Sequence, residues 1–568
     1  MPIDNPAYTR NSRICSFRTA SASSNVNHQG IELRSMNTDP TPLAQASSGQ
    51  SPLSDDLAIR ASVGWSWWLP FVGLVAALLC LPFIRIVFWM GDEGVLLRGA
   101  ERMLRERKLY TDFFEFLPPG GFVLTATWFS IAGISVWSAR LLAILTIVGI
   151  ACFTYLACRQ ASRNAPLSAI LTIGWVVMSQ GSWTQVSHHW FTTLFSMVSV
   201  WAALASFEHS PRWLRWPLIA GAAGGTAAMV TPTRGALAML AAMTAFLNPR
   251  RDRMELIAYV LGGALVPVGL LIYLVSNQGL AAAFDDVIRF TATRYSSIQG
   301  VPFGSFSGHQ NLPLKYLFPL AALLTLFVCV RDWRACLRDR LLRSCVAFGL
   351  AGFVGCFPRP DITHIAFAAP LALPLLACCM TRLTQRWRQI YRYVVAAVLI
   401  GLCARCAVSF LWISQIALHG QVVQTPRGGV VFFGQPGVPE LLARIAATPS
   451  GDAYFFYPYM PMLPFLAARE DVSGYDIFAP GYTLPSQYHD ACISVMQRAS
   501  WVVIDRRWTD PNTWKQLFPA MQDAQPQETK EFEQVLDSSF EFVARDGTFE
   551  LRRRHEGVGD TFCAGIAE

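Results

Sequence analysis

The sequence predicts a polytopic α-helical membrane protein with a small α/β region outside the membrane at its C-terminal end. Three observations lead there. Of 568 residues, 53% are hydrophobic and only 15% charged, against about 25% charge in soluble domains; so few charges cannot coat a soluble surface of this size. Apolar runs recur from Trp67 to about residue 415, as helices solvated by lipid require. Beyond residue 420 those runs stop, and short strand-like and helix-like segments take over.

Residues 1–64 are rich in Ser, Asn, Thr and Pro without apolar periodicity, the composition of a disordered tail. The first apolar run, Trp67–Met90, is too long for a signal-peptide core and is read as the first span. The next apolar stretch, Phe122–Ile134, has 13 residues, short of the roughly 20 that a bilayer needs. Placing it in the interface puts every Arg cluster on one side: Arg159/Arg163, Arg212/Arg215, Arg250/Arg251/Arg253, Arg331/Arg334/Arg338/Arg340/Arg343 and Arg382/Arg386/Arg388/Arg392. By the positive-inside rule that side is cytoplasmic. Ten further spans follow, near 139–158, 165–182, 190–207, 214–230, 234–248, 255–275, 314–330, 344–358, 362–380 and 393–415. The expected organisation is a cytoplasmic tail (1–64), a membrane region of eleven helices (65–418) and an extracytoplasmic α/β domain (419–568). In the last, 453–457 and 501–505 read as strands, and 440–447 and 512–522 as helices.

Composition also excludes partners. The 46 Lys and Arg exceed the 38 Asp and Glu by eight, yet only four are Lys and the Arg lie in scattered short clusters. That is an orientation signal in a membrane, with no nucleic-acid footprint. Most of the 14 cysteines sit in or beside apolar runs, where they act as small hydrophobes. Cys492 and Cys563 lie in the polar C-terminal region, and whether they pair is left open.

With this topology Asp92, Glu93, Asp112, Glu115, His188, His189, Arg234, Asp285, Asp286, Arg289, Arg294, His309, Arg359, Asp361 and His364 all fall on the outer side. The first outer loop is the most informative. Asp92-Glu93 stands where the first span ends, and Val95–Arg107 follows as an amphipathic helix suited to the interface plane. Asp112 and Glu115 then precede Pro118-Pro119 and the short apolar segment.

This order of helix, Asp-Glu pair, interfacial helix, acid before Pro-Pro and apolar segment resembles the GT-C glycosyltransferases. The nearest in pattern are bacterial members such as protein O-mannosyltransferases and aminoarabinose (lipid A) transferases. The resemblance covers about 66–380 and is strongest in 91–140. Phe357-Pro358-Arg359-Pro360-Asp361-Ile362-Thr363-His364 and Tyr457-Pro458-Tyr459-Met460-Pro461-Met462-Leu463-Pro464 are similar to loops of uncharacterised bacterial relatives. It implies inverting transfer of a sugar from a polyprenyl-phosphate carrier to a lipid, protein or glycan acceptor, outside the inner membrane of a bacterium. Asp92 matches the family's general base, and Glu115 the acid before its Pro pair. Leu117 replaces the Lys or His often found before that pair, and Ser187-His188-His189-Trp190 stands where relatives carry an Asp. A divalent metal is compatible with the sequence but not required by it, and the cofactor is left unknown.

An acceptor hydroxyl needs a carboxylate within hydrogen-bond reach, and a leaving phosphate needs cations. An N-cap is the alternative for Asp92, but an N-cap does not require the neighbouring acids, so catalysis is favoured; for Glu93 a favourable charge in the first helical turn is the favoured reading. Asp112 could orient the acceptor or merely be solvated. His188 and His189, as neighbours, should point in different directions and favour interfacial hydrogen bonding over metal ligation. Arg359 and Arg294 are the phosphate candidates, the former with Asp361 and His364; Arg359 and Asp361 could instead pair with each other. Arg294 lies in the long 276–313 segment, expected to order on binding lipid. Arg85 is expected inside the first span, near its outer end. A transporter or flippase of lipid-linked precursors is the competing class. It should show repeats and midplane polar groups, whereas the polar residues here gather at one face.

Overall fold

The structure is a computed structural model that describes residues 67–555 apart from 182, 209–213, 248–252, 331–332 and 387–389, together with 563 and 566. The tail 1–64 and Arg212, Arg250, Arg251, Arg331 and Arg388 of the clusters above lie outside the described residues. The described residues from Trp68 onward form one compact unit.

Each expected span contains a helix: α1 (Trp68–Cys80), then α2 (Asp92–Leu104) and α3 (Pro119–Ala132) of the first outer segment, then α4 (Val136–Ser162), α5 (Ala165–Ser179), α6 (His188–Ala205), α7 (Arg215–Val230), α8 (Pro232–Met243), α9 (Arg253–Ser276), α10 (Leu317–Cys329), α11 (Arg340–Val354), α12 (Ile362–Arg386) and α13 (Ile390–His419). Among the described residues, four of these stretches are long and apolar enough to cross a membrane: Val136–Ser162, Arg253–Ser276, Ile362–Leu383 and Ile400–His419. Local signals set the boundaries. Ser135 and Ser187 accept backbone N–H bonds at the starts of α4 and α6, and Pro119 sits in the first turn of α3, where its missing N–H costs nothing.

The first span differs from expectation. Pro82 cannot donate to the helical ladder, so α1 ends at Cys80 and tightens into one 3₁₀ turn, Leu81–Phe83. The chain leaves as strand β1 (Ile86–Val87), and Arg85 lies in the turn just before it, its guanidinium 4.9 Å from the centre of the Trp137 ring. The 276–313 segment is also more regular than expected. It forms a short turn and a wide helix, Phe284–Tyr295, with i→i+5 bonding. Rings order it: Phe290 meets Phe114 at 5.0 Å, and Tyr295 stacks on Phe116 at 5.1 Å.

After α13 the chain forms β2 (Val422–Thr425), β3 (Gly428–Phe432), α14 (Val438–Ala447), β4 (Tyr454–Tyr457), α15 (Met462–Ala467), α16 (Pro485–Arg498), β5 (Trp501–Asp505), α17 (Pro511–Leu517), α18 (Gln527–Ser539), β6 (Phe540–Asp546) and β7 (Phe549–Arg554). Helix α17 stops at Leu517, short of the expected residue 522. Strand β1 joins this part, pairing in parallel with β3 through Ile86–Val431 and Val87–Phe432, in a sheet ordered β1-β3-β2. The second sheet runs β4-β5-β7-β6, with β4 and β5 parallel. Cys492 and Cys563 form a disulfide, and the other described cysteines are free.

Helix α2 was expected to present its charges to water. Instead its polar face is buried against the C-terminal part. Arg98 pairs with Asp476 and, at 3.4 Å, with Asp471; Arg102 bonds Asp476 at 2.9 Å; and Arg427 pairs with Glu101. On the opposite side Glu93, 1% exposed, pairs with the equally buried Arg140 of α4 and accepts the Val186 N–H at 3.0 Å. Arg140 also donates to Ile86 O at 2.7 Å. This pair ties α2, α4, β1 and the lead-in to α6 together. Removing one partner leaves a buried charge, which costs about 3–5 kcal/mol. Glu93→Met or Arg140→Met is expected to lower the melting temperature in detergent sharply. The double variant should lose less than the sum of the two, and additive losses would show that the pair does not act as a unit.

Candidate active site

Asp92 opens α2 with its side chain exposed. The segment 457–464 lies across this helix start. Met462 N–H donates to Met90 O at 2.8 Å, and the chain comes so near that a Cβ on Gly94 would stand 2.5 Å from the Pro461 carbonyl carbon. That approach requires glycine. It delivers the Tyr459 phenol, which donates to Asp92 Oδ1. Burial, and then the Asp92 charge, push the Tyr459 pKa well above its ordinary value, so it remains a donor. Behind it Trp89 packs on Trp508 at 5.2 Å.

Beside this pair stand Tyr295 of the wide helix and Tyr482. Burial raises the Tyr295 phenol to about 12, and Arg359, Asp92 and Asp361 all lie near enough to act on it. Burial likewise raises Tyr482, with Tyr295, Glu115 and Asp92 adding to the shift. The tyrosines thus bring Asp92, Glu115, Arg359 and Asp361 into one neighbourhood.

Glu115 is 2% exposed, makes no salt bridge among the described residues, and its Oε1 has no hydrogen-bond partner there. Burial and then Asp476 raise its pKa well above the carboxylate range, against the pull of Arg102 and Arg98. Asp112 is exposed and accepts the Lys108 N–H at 2.7 Å, closing its own turn. Glu93 faces Arg140 and is closed off from solvent, so its expected place on the substrate side is corrected: the helix start turns it inward.

Residues 357–364 are tightly knit. Arg359 donates to Asp361 Oδ2 at 2.8 Å, to Gln299 Oε1 at 3.1 Å and to Leu517 O at 3.0 Å, and lies 4.7 Å from the Phe518 ring centre. Pairing within the loop, one of the two alternatives, is thus present. Asp361 Oδ1 accepts the Thr363 and His364 N–H groups and meets His364 Nδ1 at 2.8 Å. His188 and His189 do not point apart, as adjacency suggested. Their ring centres lie 3.9 Å apart because His189 is held between Phe367, at 4.6 Å, and Arg234, whose guanidinium lies 3.0 Å from His189 Nδ1. His364 stands 4.9 Å from His189. Among the described residues no group of three or more His, Cys, Asp or Glu side chains could hold a metal ion. Arg294 is exposed and makes no ion pair among the described residues.

Asp92, Glu115, His188, His189, Arg359, Asp361 and His364 therefore gather near one face, while Glu93 and Asp112 serve local structure. Tyr459, Tyr482 and Tyr295 were not singled out from sequence. Tyr459 had one available signal, its dense Pro and aromatic context; Tyr482 and Tyr295 had none.

No family model matches the chain, and no curated protein gives a significant match. Solved structures do match. ArnT from Cupriavidus metallidurans bound to undecaprenyl phosphate superposes with a TM-score of 0.51 at 16% identity, covering 87% of this chain and 98% of ArnT. Its apo form gives 0.51 at 15% identity over the same shares. The mycobacterial arabinofuranosyltransferase AftD gives 0.50 at 16% identity, covering 88% of this chain and 40% of AftD. The chain shares the fold of ArnT and AftD, and at this identity the likeness is one of fold.

Burial alone would raise the Asp361 pKa. The charge and hydrogen bond of His364, with Arg359, outweigh it and hold Asp361 at about 2. A depressed carboxyl stabilises the fold above its unfolded pKa of about 3.9, and that stability fades as pH falls through the folded value. Asp361→Asn is expected to cost roughly 2 kcal/mol at pH 7 and almost nothing near pH 2. Melting curves of both proteins across pH 7 to 2 measure this; a constant gap would refute it.

Proposed function

We propose that the chain is a glycosyltransferase that moves a sugar from a polyprenyl-phosphate donor to an acceptor hydroxyl, with inversion, at the outer face of a bacterial inner membrane. The observation that carries the reading is the setting of Asp92. Of the acids in the first outer segment, Glu93 and Glu101 are committed to arginines, Glu115 is buried, Asp112 closes a turn, and Glu106 is exposed with no side-chain partner to orient it among the described residues. Asp92 is exposed and oriented by a phenol. Similarity in fold to an enzyme solved with undecaprenyl phosphate supports the donor class.

In this reading Asp92 takes the proton of the acceptor hydroxyl as its oxygen attacks the anomeric carbon. The bond from that carbon to the phosphate oxygen breaks, and the polyprenyl phosphate leaves with the electron pair. One displacement inverts the configuration. Tyr459 orients the carboxylate. Arg294, uncommitted and exposed, meets the phosphate, with Arg359 held in reserve by Asp361. His188, His189 and His364 line the approach, and Glu115 touches the sugar. The Cys492–Cys563 disulfide beside free thiols in the helices supports an oxidising, extracytoplasmic side for residues after 420.

Asp92→Asn should reduce transfer by about 10²–10⁴-fold, the usual worth of a positioned base, and Tyr459→Phe by about tenfold. The measurement is transfer in membranes from undecaprenyl-phosphate sugars, with mass spectrometry of surface glycans in strains with and without the gene. Full transfer by a folded Asp92→Asn protein would exclude this mechanism.

A further inference from the structure

Two buried polar atoms near Asp92 have no partner among the described residues, Glu115 Oε1 and the Tyr482 phenol oxygen. Glu115 is 2% and Tyr482 4% exposed. Native proteins pair nearly all such atoms, and an orphan costs about 1–3 kcal/mol. Two orphans in one neighbourhood mark a place where something else completes the bonding.

The surroundings narrow what that is. Tyr482 sits among rings: Phe290 at 4.9 Å, Phe116 at 5.6 Å and Tyr295 at 6.3 Å, the last two stacked on each other. Ring faces take the C–H surface of a sugar, and a phenol takes one of its hydroxyls. The charges near Glu115 balance without it. Arg98 and Arg102 are committed to Asp471 and Asp476, and no cation forms an ion pair with Glu115 among the described residues. A buried carboxyl with no counter-ion is held neutral, and a neutral carboxyl both donates and accepts. An ammonium group would instead need the ionised form.

We infer that Glu115 and Tyr482 form a subsite for the hydroxyl groups of an uncharged sugar ring, with Phe116, Phe290 and Tyr295 as its apolar wall. The inference rests on the glycosyltransferase reading for the identity of the ligand as the donor's sugar.

The test compares binding of bare undecaprenyl phosphate with undecaprenyl phosphate carrying mannose, glucose or arabinose, using the full chain in nanodiscs and tryptophan fluorescence. At least one loaded carrier should bind about tenfold more tightly than the bare one. Tyr482→Phe, which removes a single oxygen, and Glu115→Ala should each cut that advantage roughly fivefold, with the affinity for bare carrier unchanged. Glu115→Gln keeps a neutral donor and acceptor and should recover most of the advantage. A bare carrier that binds with no advantage for any sugar, or an unaltered Tyr482→Phe, overturns the subsite alone. Glu115→Gln as damaging as Glu115→Ala overturns the neutral-sugar assignment in favour of a charged carboxylate. Failure of both bare and loaded carriers to bind the wild-type protein overturns the donor reading, and the subsite with it.

Discussion

Helix α2 carries Asp92, Glu93, Arg98, Glu101 and Arg102 within three turns, and Glu93, Arg98 and Glu101 are buried with Arg102 half-buried beside them. Burying an ion is costly unless its partner is fixed, so the remainder of the molecule has to bring partners to it. Arg140 comes from α4, Asp471 and Asp476 from the chain after β4, and Arg427 from the β2–β3 turn. The helix has one position in which all these pairs close. That constraint sets where the first outer segment sits, and hence where its first residue points.

Asp92 gains its character by contrast with its neighbours. The next residue turns inward to Arg140, Glu101, Glu115 and Asp112 are neutralised, buried or engaged in a turn, and Glu106 is exposed with no side-chain partner among the described residues. Asp92 differs from them all as a carboxylate at the helix start, exposed on one side and held by the Tyr459 phenol on the other. The same logic separates the arginines. Arg359 has three nitrogens engaged and a ring beneath it, which suits a wall. Arg294 has none of these restraints among the described residues and stands exposed.

Much of this was legible in the sequence where the signal is local. The Asp-Glu pair at a span exit, Pro118-Pro119 at the start of α3, and the Trp-Val-Val-Ile-Asp strand each depend on neighbours a few residues away. The failures share the opposite property. Arg85 left the first span because β1 pairs with residues near 431, which no window around Arg85 contains. Glu93 turned inward because Arg140 lies 47 positions on, and the Tyr459–Asp92 bond spans 367 positions. The polar face of α2 looked solvated because an amphipathic pattern reports which residues differ, and cannot report whether a second surface covers the charged side. His188 and His189 seemed divergent by adjacency, yet Phe367 and Arg234 hold the rings together from other helices.

The part after residue 420 is therefore no appendage to a finished helical bundle. It supplies the phenol on Asp92, the orphan hydroxyl of Tyr482, the carbonyl of Leu517 on Arg359 and the acids that neutralise Arg98 and Arg102. Without it α2 would keep two guanidinium groups in a site built for ion pairs, and the helix would have no reason to hold its position. Binding and chemistry thus cannot be divided between the two parts of the chain. A carboxylate set by one part and held by a phenol from the other keeps that geometry only when both are docked, so the stability of that contact and the setting of Asp92 are a single property.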